Sequence, residues 1–91
     1  MMAFVFDPSK SRQNLAKHGI NFVAAQRLWR DPNVLQIPAR TEAEPREMVI
    51  GMIGRQLWSA IVTFRDGDVR IISVRRARRQ EVALYESREI R

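Results

Sequence analysis

A stretch of ten residues, Arg70–Arg79, carries the side chains best suited to chemistry on an anionic partner. Five of these residues are arginines: Arg70, Arg75, Arg76, Arg78 and Arg79. A guanidinium group stays charged and offers a planar fork of donors that matches the oxygens of a phosphate. The apolar residues at the start of the stretch predict a strand that leads into a helix, so the arginines are expected on regular structure. The stretch therefore predicts a phosphate-rich partner.

The charge of the whole chain points in the same direction. Lysine and arginine together number 16 and aspartate and glutamate 10, which gives a formal net charge of +6. Only Lys10 and Lys17 are lysines, and arginine suits bidentate phosphate contacts and base stacking better than lysine does. The balance favours an anionic partner and leaves open a nucleic acid, a membrane surface and an acidic protein.

The only histidine, His18, lies beside Lys17 near the end of a predicted helix. A lone histidine at this position is more often a partner of the helix dipole than a catalyst, and spacing alone favours the structural role. A helix end that brings Lys17 and His18 near the sheet arginines would, however, form a mixed site for an anion and a proton.

Several kinds of site are excluded or unsupported by composition. There is no cysteine, so disulfides and thiolate metal sites are ruled out. One histidine and scattered acids give no metal-ligand spacing, and no glycine-rich phosphate loop is present, so we expect neither a metal nor a cofactor. The N-terminus lacks the features of a secretion signal, and no apolar run is long enough to span a bilayer. We therefore expect a cytoplasmic protein without a membrane partner.

The chain of 91 residues is short enough to predict a single domain over residues 1–91. Capping residues and apolar spacing predict three helices, Pro8–His18, Phe22–Arg30 and Ala77–Glu89. The predicted strands are Phe4–Phe6, Val34–Pro38, Met48–Ile53, Leu57–Arg65 and Asp68–Arg75. The polar loop Ala39–Pro45 is expected to be the most mobile segment. The order β-α-α-β-β-β-β-α predicts an α+β fold, a small antiparallel sheet with two N-terminal helices and a C-terminal helix packed on it.

The hairpin signal Asp66–Gly67 fixes the predicted faces of the last two strands. It sets Arg65 opposite Asp68 and Thr63 opposite Arg70, and directly opposed residues share a face. The predicted core face carries Trp58, Ala60, Val62, Phe64, Val69 and Ile71. The other face carries Ile61, Thr63, Arg65, Arg70 and Ile72. Strand alternation then predicts Arg75 on the core side at the strand end and Arg76 on the opposite side.

The arginines of the stretch divide into two groups. Arg78 and Arg79 fall on the predicted helix, where surface pairs with acids such as Glu81 are the favoured interpretation. Arg75 and Arg76 fall at the junction of strand and helix, where a rigid backbone favours phosphate positioning.

The sequence resembles the BrnT family, ribonuclease toxins of type II toxin–antitoxin systems. The resemblance rests chiefly on two blocks, Lys17–Gly19 and Arg70–Ala77, and extends in order over nearly the whole chain. Further matching segments are Phe4–Lys10, Asn14, Ile20, Phe22, Ala25, Asp31–Pro32, Glu44–Arg46, Ile50–Gly51, Glu81 and Tyr85. Val74 departs from the pattern, because the family usually has alanine there.

The resemblance implies a RelE-like bacterial ribonuclease fold and cleavage of RNA without a metal. It also implies a cognate BrnA-type antitoxin and binding of promoter DNA by the toxin–antitoxin complex. The implied active-site residues are Lys17, His18, Arg65, Arg75 and Arg76. The implied RNA-binding residues are Arg70, Arg78, Arg79 and Tyr85.

Two functions remain open at this stage. In the first, the chain is a single toxin domain that cleaves RNA as an endoribonuclease and so inhibits translation and growth until its antitoxin neutralises it. In the second, it is a non-catalytic basic module, and the arginine cluster grips an acidic antitoxin or a nucleic acid that is not cut.

Overall fold

The computed structural model describes residues 3–39 and 44–89, and the side chains as far as residue 87. It contains three helices and one 3₁₀ segment, which are α1 (Pro8–His18), α2 (Phe22–Ala25), the 3₁₀ segment (Gln26–Arg30) and α3 (Arg79–Glu89). The strands are β1 (Phe4–Val5), β2 (Leu35–Ala39), β3 (Arg46–Ile53), β4 (Gln56–Arg65) and β5 (Asp68–Arg76). The predicted α+β class is confirmed. Most of the loop predicted to be mobile lies outside the described residues.

The five strands form one mixed sheet in the order β1-β5-β4-β3-β2. Strands β2 to β5 pair antiparallel, as predicted, but β1 pairs parallel to β5 through Phe4 with Val69 and Val5 with Arg70. The prediction of a wholly antiparallel sheet is therefore wrong. Hairpin signals report only on strands that are neighbours in sequence, whereas β1 reaches a strand more than sixty residues further on.

Helix α1 begins and ends at the residues that the capping pattern of the sequence predicts. The side chain of Asp7 accepts hydrogen bonds from the backbone N–H groups of Ser9 at 2.8 Å and Lys10 at 3.4 Å. Gly19 ends the helix with a left-handed φ of 80°, and its N–H donates to the carbonyl of Leu15 at 2.9 Å. His18 is consequently the last residue of α1.

The second predicted helix differs from the observed one. Helix α2 stops at Ala25, and the chain continues to Arg30 as a 3₁₀ segment. Leu28 of this segment packs on Gly51 of β3, where an added Cβ atom would lie 3.0 Å from the Leu28 Cδ2 atom. The absence of a side chain at position 51 thus allows the segment to approach the sheet closely.

The two faces of the sheet carry different partners. Helices α1 and α2 and the 3₁₀ segment cover one face, and the buried core between them and the sheet includes Ile20, Phe22, Ala25, Leu28, Val49, Ala60, Val62, Val69, Ile71 and Val74. On the other face lie Ile50 and Ser59, which are paired across β3 and β4, and Ser59 bonds to α3. The predicted core face of β4 and β5 is confirmed except at Phe64, which is 44% exposed at the strand end.

Helix α3 begins at Arg79, two residues later than predicted. The N–H of Ala77 donates to the carbonyl of Leu57 at 3.0 Å, so the chain is still attached to the sheet at that residue. Within the described ranges, no helix is both long and apolar enough to cross a membrane.

Candidate active site

The outer edge of β5 is only partly paired. Its partner β1 reaches as far as Arg70, and beyond this residue no described strand lies along this edge of β5. Asn14 of α1 takes the place of a strand at Val74. Its side-chain amide donates to the Val74 carbonyl at 2.9 Å and its side-chain oxygen accepts from the Val74 N–H at 3.1 Å. The same amide also donates to the Ile20 carbonyl at 2.8 Å, and the two bonds to Val74 attach α1 to this edge.

A cavity of about 260 Å³ lies between α1 and the free edge of β5. Its wall on the helix side includes Lys17 and His18, and its wall on the strand side is formed by Ile72 and Ser73. Lys10 completes the basic lining. The structure therefore brings the predicted Lys17 and His18 to the strand that carries the arginines.

Strand β5 contains a β-bulge at this cavity. Val62 pairs with Ile71, but Ile61 pairs with Ser73, so Ile72 is an extra residue. The extra residue exchanges the faces of everything that follows it, and Val74 is fully buried in the core. The predicted faces of Arg75 and Arg76 are therefore wrong: Arg75 lies on the α3 side and Arg76 on the core side of the strand end.

Arg75 is held in a bidentate ion pair with Glu81. Its two terminal nitrogens donate to the two carboxylate oxygens at 2.8 Å each, and one of them also donates to the Arg76 carbonyl at 3.2 Å. The hydrogen bond to Glu81 raises the pKa of Arg75 above its ordinary value, against a smaller lowering caused by burial. The guanidinium is thus rigid and already has an anionic partner.

Glu81 connects three elements through one carboxylate. Besides Arg75, its Oε1 atom accepts from the hydroxyl of Ser59 and from the backbone N–H of Arg78, both at 2.8 Å. The bond to Arg78 is half of a capping box at the start of α3. Hydrogen bonding from Arg75 is the main cause that lowers the pKa of Glu81 to about 2, while burial opposes it. The prediction of a surface pair between Glu81 and the side chains of Arg78 or Arg79 is replaced by this buried pair.

Arg76 differs from Arg75 in having an exposed guanidinium. Its Cζ atom lies 5.8 Å from the centre of the Trp58 ring, which is a cation–π arrangement. Among the residues that the structure describes, Arg76 forms no ion pair. Its charge is available to a ligand.

The remaining arginines of the sheet lie further from this junction. Arg70 pairs with Thr63, and Arg65 pairs with Asp68 and approaches Glu44 at 3.6 Å, with both side chains exposed. Arg65 lies six positions after Ser59, the neighbour of Arg75, which corresponds to about 20 Å along β4. Arg65 is therefore not brought together with Arg75 and Arg76.

The predicted residues of α3 occupy two environments. Tyr85 is only 2% exposed, and its hydroxyl donates to the Asp31 carboxylate at 2.6 Å. Arg78 and Arg79 lie exposed at the start of the helix. Tyr85 thus connects α3 to the end of the 3₁₀ segment, while the two arginines remain on the open surface.

Sequence reasoning missed the residues that position the site. Asn14 and Asp31 enter the sequence analysis only as residues that match the family pattern. Asp31 also accepts from the N–H groups of Met52 and Asn33 at 2.8 Å each. Burial alone would raise the pKa of Asp31, but these bonds and that from Tyr85 hold it below its ordinary value. For both Asn14 and Asp31, the only indication in the sequence is a polar residue next to an apolar segment.

In the described part of the chain, no group of three or more histidine, cysteine, aspartate or glutamate residues is arranged to hold a metal ion. The fold and the site define a small basic α+β protein with a cation-lined cavity at a sheet edge. Residues 6–81 match the family described as "Ribonuclease toxin, BrnT, of type II toxin-antitoxin system". The chain belongs to this family of toxins. A comparison with curated proteins finds no match.

Proposed function

We propose that the chain is a metal-independent endoribonuclease whose cleavage site is the free edge of β5. The observation that carries the proposal is the shared cavity of Lys17, His18 and the bulge residues Ile72 and Ser73. Family membership supports a ribonuclease toxin, and the cavity is the place where a proton-transfer group and cationic side chains lie on one strand edge.

The chemistry fits cleavage through the ribose of the substrate. The 2′-hydroxyl loses its proton to a general base and its oxygen attacks the adjacent phosphorus, while the bond from phosphorus to the 5′-oxygen breaks. A general acid then protonates that leaving oxygen, and a cyclic phosphate remains on the other product. His18 and Lys17 are the two groups proposed for these proton transfers, which contribute about 10²–10⁴-fold when well placed.

The arginines take different parts in this proposal. Arg76, whose guanidinium is exposed, stabilises the extra negative charge of the phosphorane. Arg75 is fixed by Glu81, so it contributes a rigid field and its remaining N–H donors. Arg70, Arg78 and Arg79 contact the RNA backbone, and Arg65 does so at the far end of β4 rather than at the reacting phosphate. Tyr85 supports the site from within the fold.

The cellular setting follows from the family. A type II toxin has an antitoxin partner and an RNA target. We infer an antitoxin of the BrnA type, promoter binding by the complex, a RelE-like fold and a cytoplasmic location, because these accompany the resemblance.

The test is cleavage of purified RNA in the presence of a chelator. We expect products that end in a cyclic phosphate, and we expect His18→Gln to slow their formation by about 100-fold or more. Arg76→Ala is the cleaner arginine variant, because Arg75→Ala would leave Glu81 buried without its partner. Arg12→Gln, on the exposed side of α1, is the matched control and should cleave normally.

The second candidate function is a non-catalytic module, and the pairing of Arg75 with Glu81 favours it, since an occupied guanidinium is less available for catalysis. RNA that stays intact both in chelator and with added divalent metal, together with a retained complex, would support this candidate and overturn the nuclease. Cleavage that depends on an added divalent metal would overturn the metal-free route alone.

A further inference from the structure

A second and larger cavity, of about 340 Å³, lies where the 3₁₀ segment meets the end of β3. Two arginines, Arg27 and Arg30, form part of its wall, and Met52 and Ile53 of β3 line it as well. The cavity is separate from the one that holds Lys17 and His18, and none of its residues has a part in the proposed cleavage chemistry.

The two arginines are arranged as a pair. They are three residues apart in a 3₁₀ segment, and side chains at this spacing lie directly above one another. Both are exposed, and neither forms an ion pair with a residue in the described ranges. Unlike Arg75, they present two uncompensated guanidinium groups on one side of the segment.

The frame that holds this pair is rigid. Asp31 directly follows the segment, and its carboxylate accepts from the N–H of Met52 and from the hydroxyl of Tyr85 through the same oxygen, Oδ2. Its other oxygen, Oδ1, accepts from the Asn33 N–H at 2.8 Å. The segment is thus fixed to both β3 and α3, and a preformed site loses less entropy when a ligand binds.

We propose that this cavity binds one nucleotide of the RNA substrate, outside the cleavage site. Arg27 and Arg30 bind backbone phosphate, and the base lies against the apolar side chain of Ile53. Arginine forks match phosphate oxygens, and Ile53 lies on the same face of β3 as Gly51, which the 3₁₀ segment contacts. The proposal rests on the proposed ribonuclease function.

The position of the cavity suits such a role. Met52 pairs with Leu57, whose carbonyl accepts from Ala77, the residue after Arg76. Strand β4 alone separates β3 from β5, so the strand axes are about 10 Å apart. An RNA strand that contacts Arg76 at the end of β5 therefore needs to extend only a short way to reach Arg27 and Arg30.

The carboxylate of Asp31 favours RNA over an acidic protein segment. Asp31 lines the cavity, and its Oδ1 atom, which accepts the Asn33 N–H, has a second lone pair that can accept another donor. The edge of a nucleobase carries N–H groups that can donate to this carboxylate, whereas the side chain of an ionised aspartate or glutamate carries no donor.

The test measures binding of a fluorescent single-stranded RNA of about 12 nucleotides. Its riboses carry 2′-O-methyl groups, so it cannot be cleaved through the 2′-oxygen. For single strands each phosphate contact contributes about 0.7 to the slope of log affinity against log salt concentration. We expect Arg27→Gln and Arg30→Gln each to reduce the slope by about that amount. Arg12→Gln removes the same charge from α1 and should leave the slope unchanged.

Unchanged slopes in both cavity variants, with thermal stability equal to that of the native chain, would overturn the proposal. So would variants that keep their affinity for RNA but lose affinity for the antitoxin, since the cavity would then be a protein-docking site. Because the probe is not cleaved, its binding is read independently of nuclease activity. Failure of the cleavage assay with normal slope changes would reject the nuclease and retain the nucleotide site.

Discussion

At the scale of single residues, Glu81 sets the charge balance and the orientation of the Arg75 side chain. Its carboxylate accepts hydrogen bonds from the guanidinium of Arg75, the hydroxyl of Ser59 and the backbone N–H of Arg78. The positive charge of Arg75 is therefore balanced and its direction is fixed before any substrate arrives. The neighbouring Arg76, stacked on Trp58, is not balanced in this way. Two adjacent arginines that look alike in sequence consequently have different chemistry.

Replacing Glu81 with glutamine should destabilise the fold. Removal of one partner from a buried ion pair costs about 3–5 kcal/mol, and the pair retains some contact with water. We therefore expect Glu81→Gln to lower the free energy of unfolding at neutral pH by about 2–4 kcal/mol, measured by urea denaturation. Glu86→Gln, on the exposed side of α3, is the control. A loss no larger than that of the control would contradict the structural role of the pair.

The effect of Glu81→Gln should also depend on pH. The folded-state pKa of Glu81 is about 2, below its ordinary value of 4.5. A depressed pKa contributes stability that is complete above the ordinary value and is lost as pH falls toward the folded-state value. The difference in stability between the native chain and the variant should thus be constant above pH 4.5 and narrow toward pH 2. A difference that stays constant over this window would contradict the assignment.

At the scale of secondary-structure elements, the bulge in β5 has three consequences for the site. It opens the strand beside α1, it places Val74 in the core, and it turns Arg75 toward α3. Without the extra residue the strand would pair regularly with β4, because Ile71 and Ser73 already oppose consecutive residues of that strand.

Deletion of Ile72 should therefore leave the fold intact. Ser73 and Val74 would keep their partners on β4, and Arg75 would still face Glu81. We expect the free energy of unfolding to change by no more than about 1–2 kcal/mol. The rate of RNA cleavage should fall, because the cavity wall at His18 is altered. Circular dichroism on heating and the chelator cleavage assay measure the two effects.

Deletion of Val74 is the matched control, since it shortens the same strand by one residue. The bulge can absorb this change only by placing Ser73 at the fully buried position opposite Ala60. Loss of a buried valine side chain should cost about 2–4 kcal/mol. If the two deletions destabilise the protein equally, the bulge does not have the role described.

Features set by neighbouring residues could be predicted from the sequence, and features set by distant contacts could not. Asp7 and Gly19 act on their own helix, and Asp66–Gly67 sets the pairing of Arg65 with Asp68, so these bounds and this register are confirmed. The parallel pairing of Phe4 with Val69, the bulge at Ile72 and the reach of Asn14 to Val74 depend on residues far apart in the chain. Period-two alternation cannot reveal an extra residue, which is why the faces of Arg75 and Arg76 were exchanged.

At the scale of the whole molecule, positive charge is largely uncompensated. The formal net charge is +6, and the described residues form only two ion pairs, Arg75 with Glu81 and Arg65 with Glu44. Such a surface repels itself in the folded state and attracts polyanions. Stability and RNA affinity should therefore respond to salt in opposite directions.

Raising the potassium chloride concentration should increase the thermal midpoint of unfolding, because the salt screens repulsion between cationic side chains. The same change should lower kcat/KM for RNA at subsaturating substrate, because the release of counterions by phosphate contacts is entropically less favourable in a concentrated salt solution. The two slopes are measured on one preparation over one salt series. An RNA analogue with an uncharged methylphosphonate backbone is the control for binding and should show no salt slope. A thermal midpoint that falls with salt would mean that attractive ion pairs outweigh repulsion between cations. A kcat/KM that does not change with salt would mean that the arginines do not bind the RNA backbone.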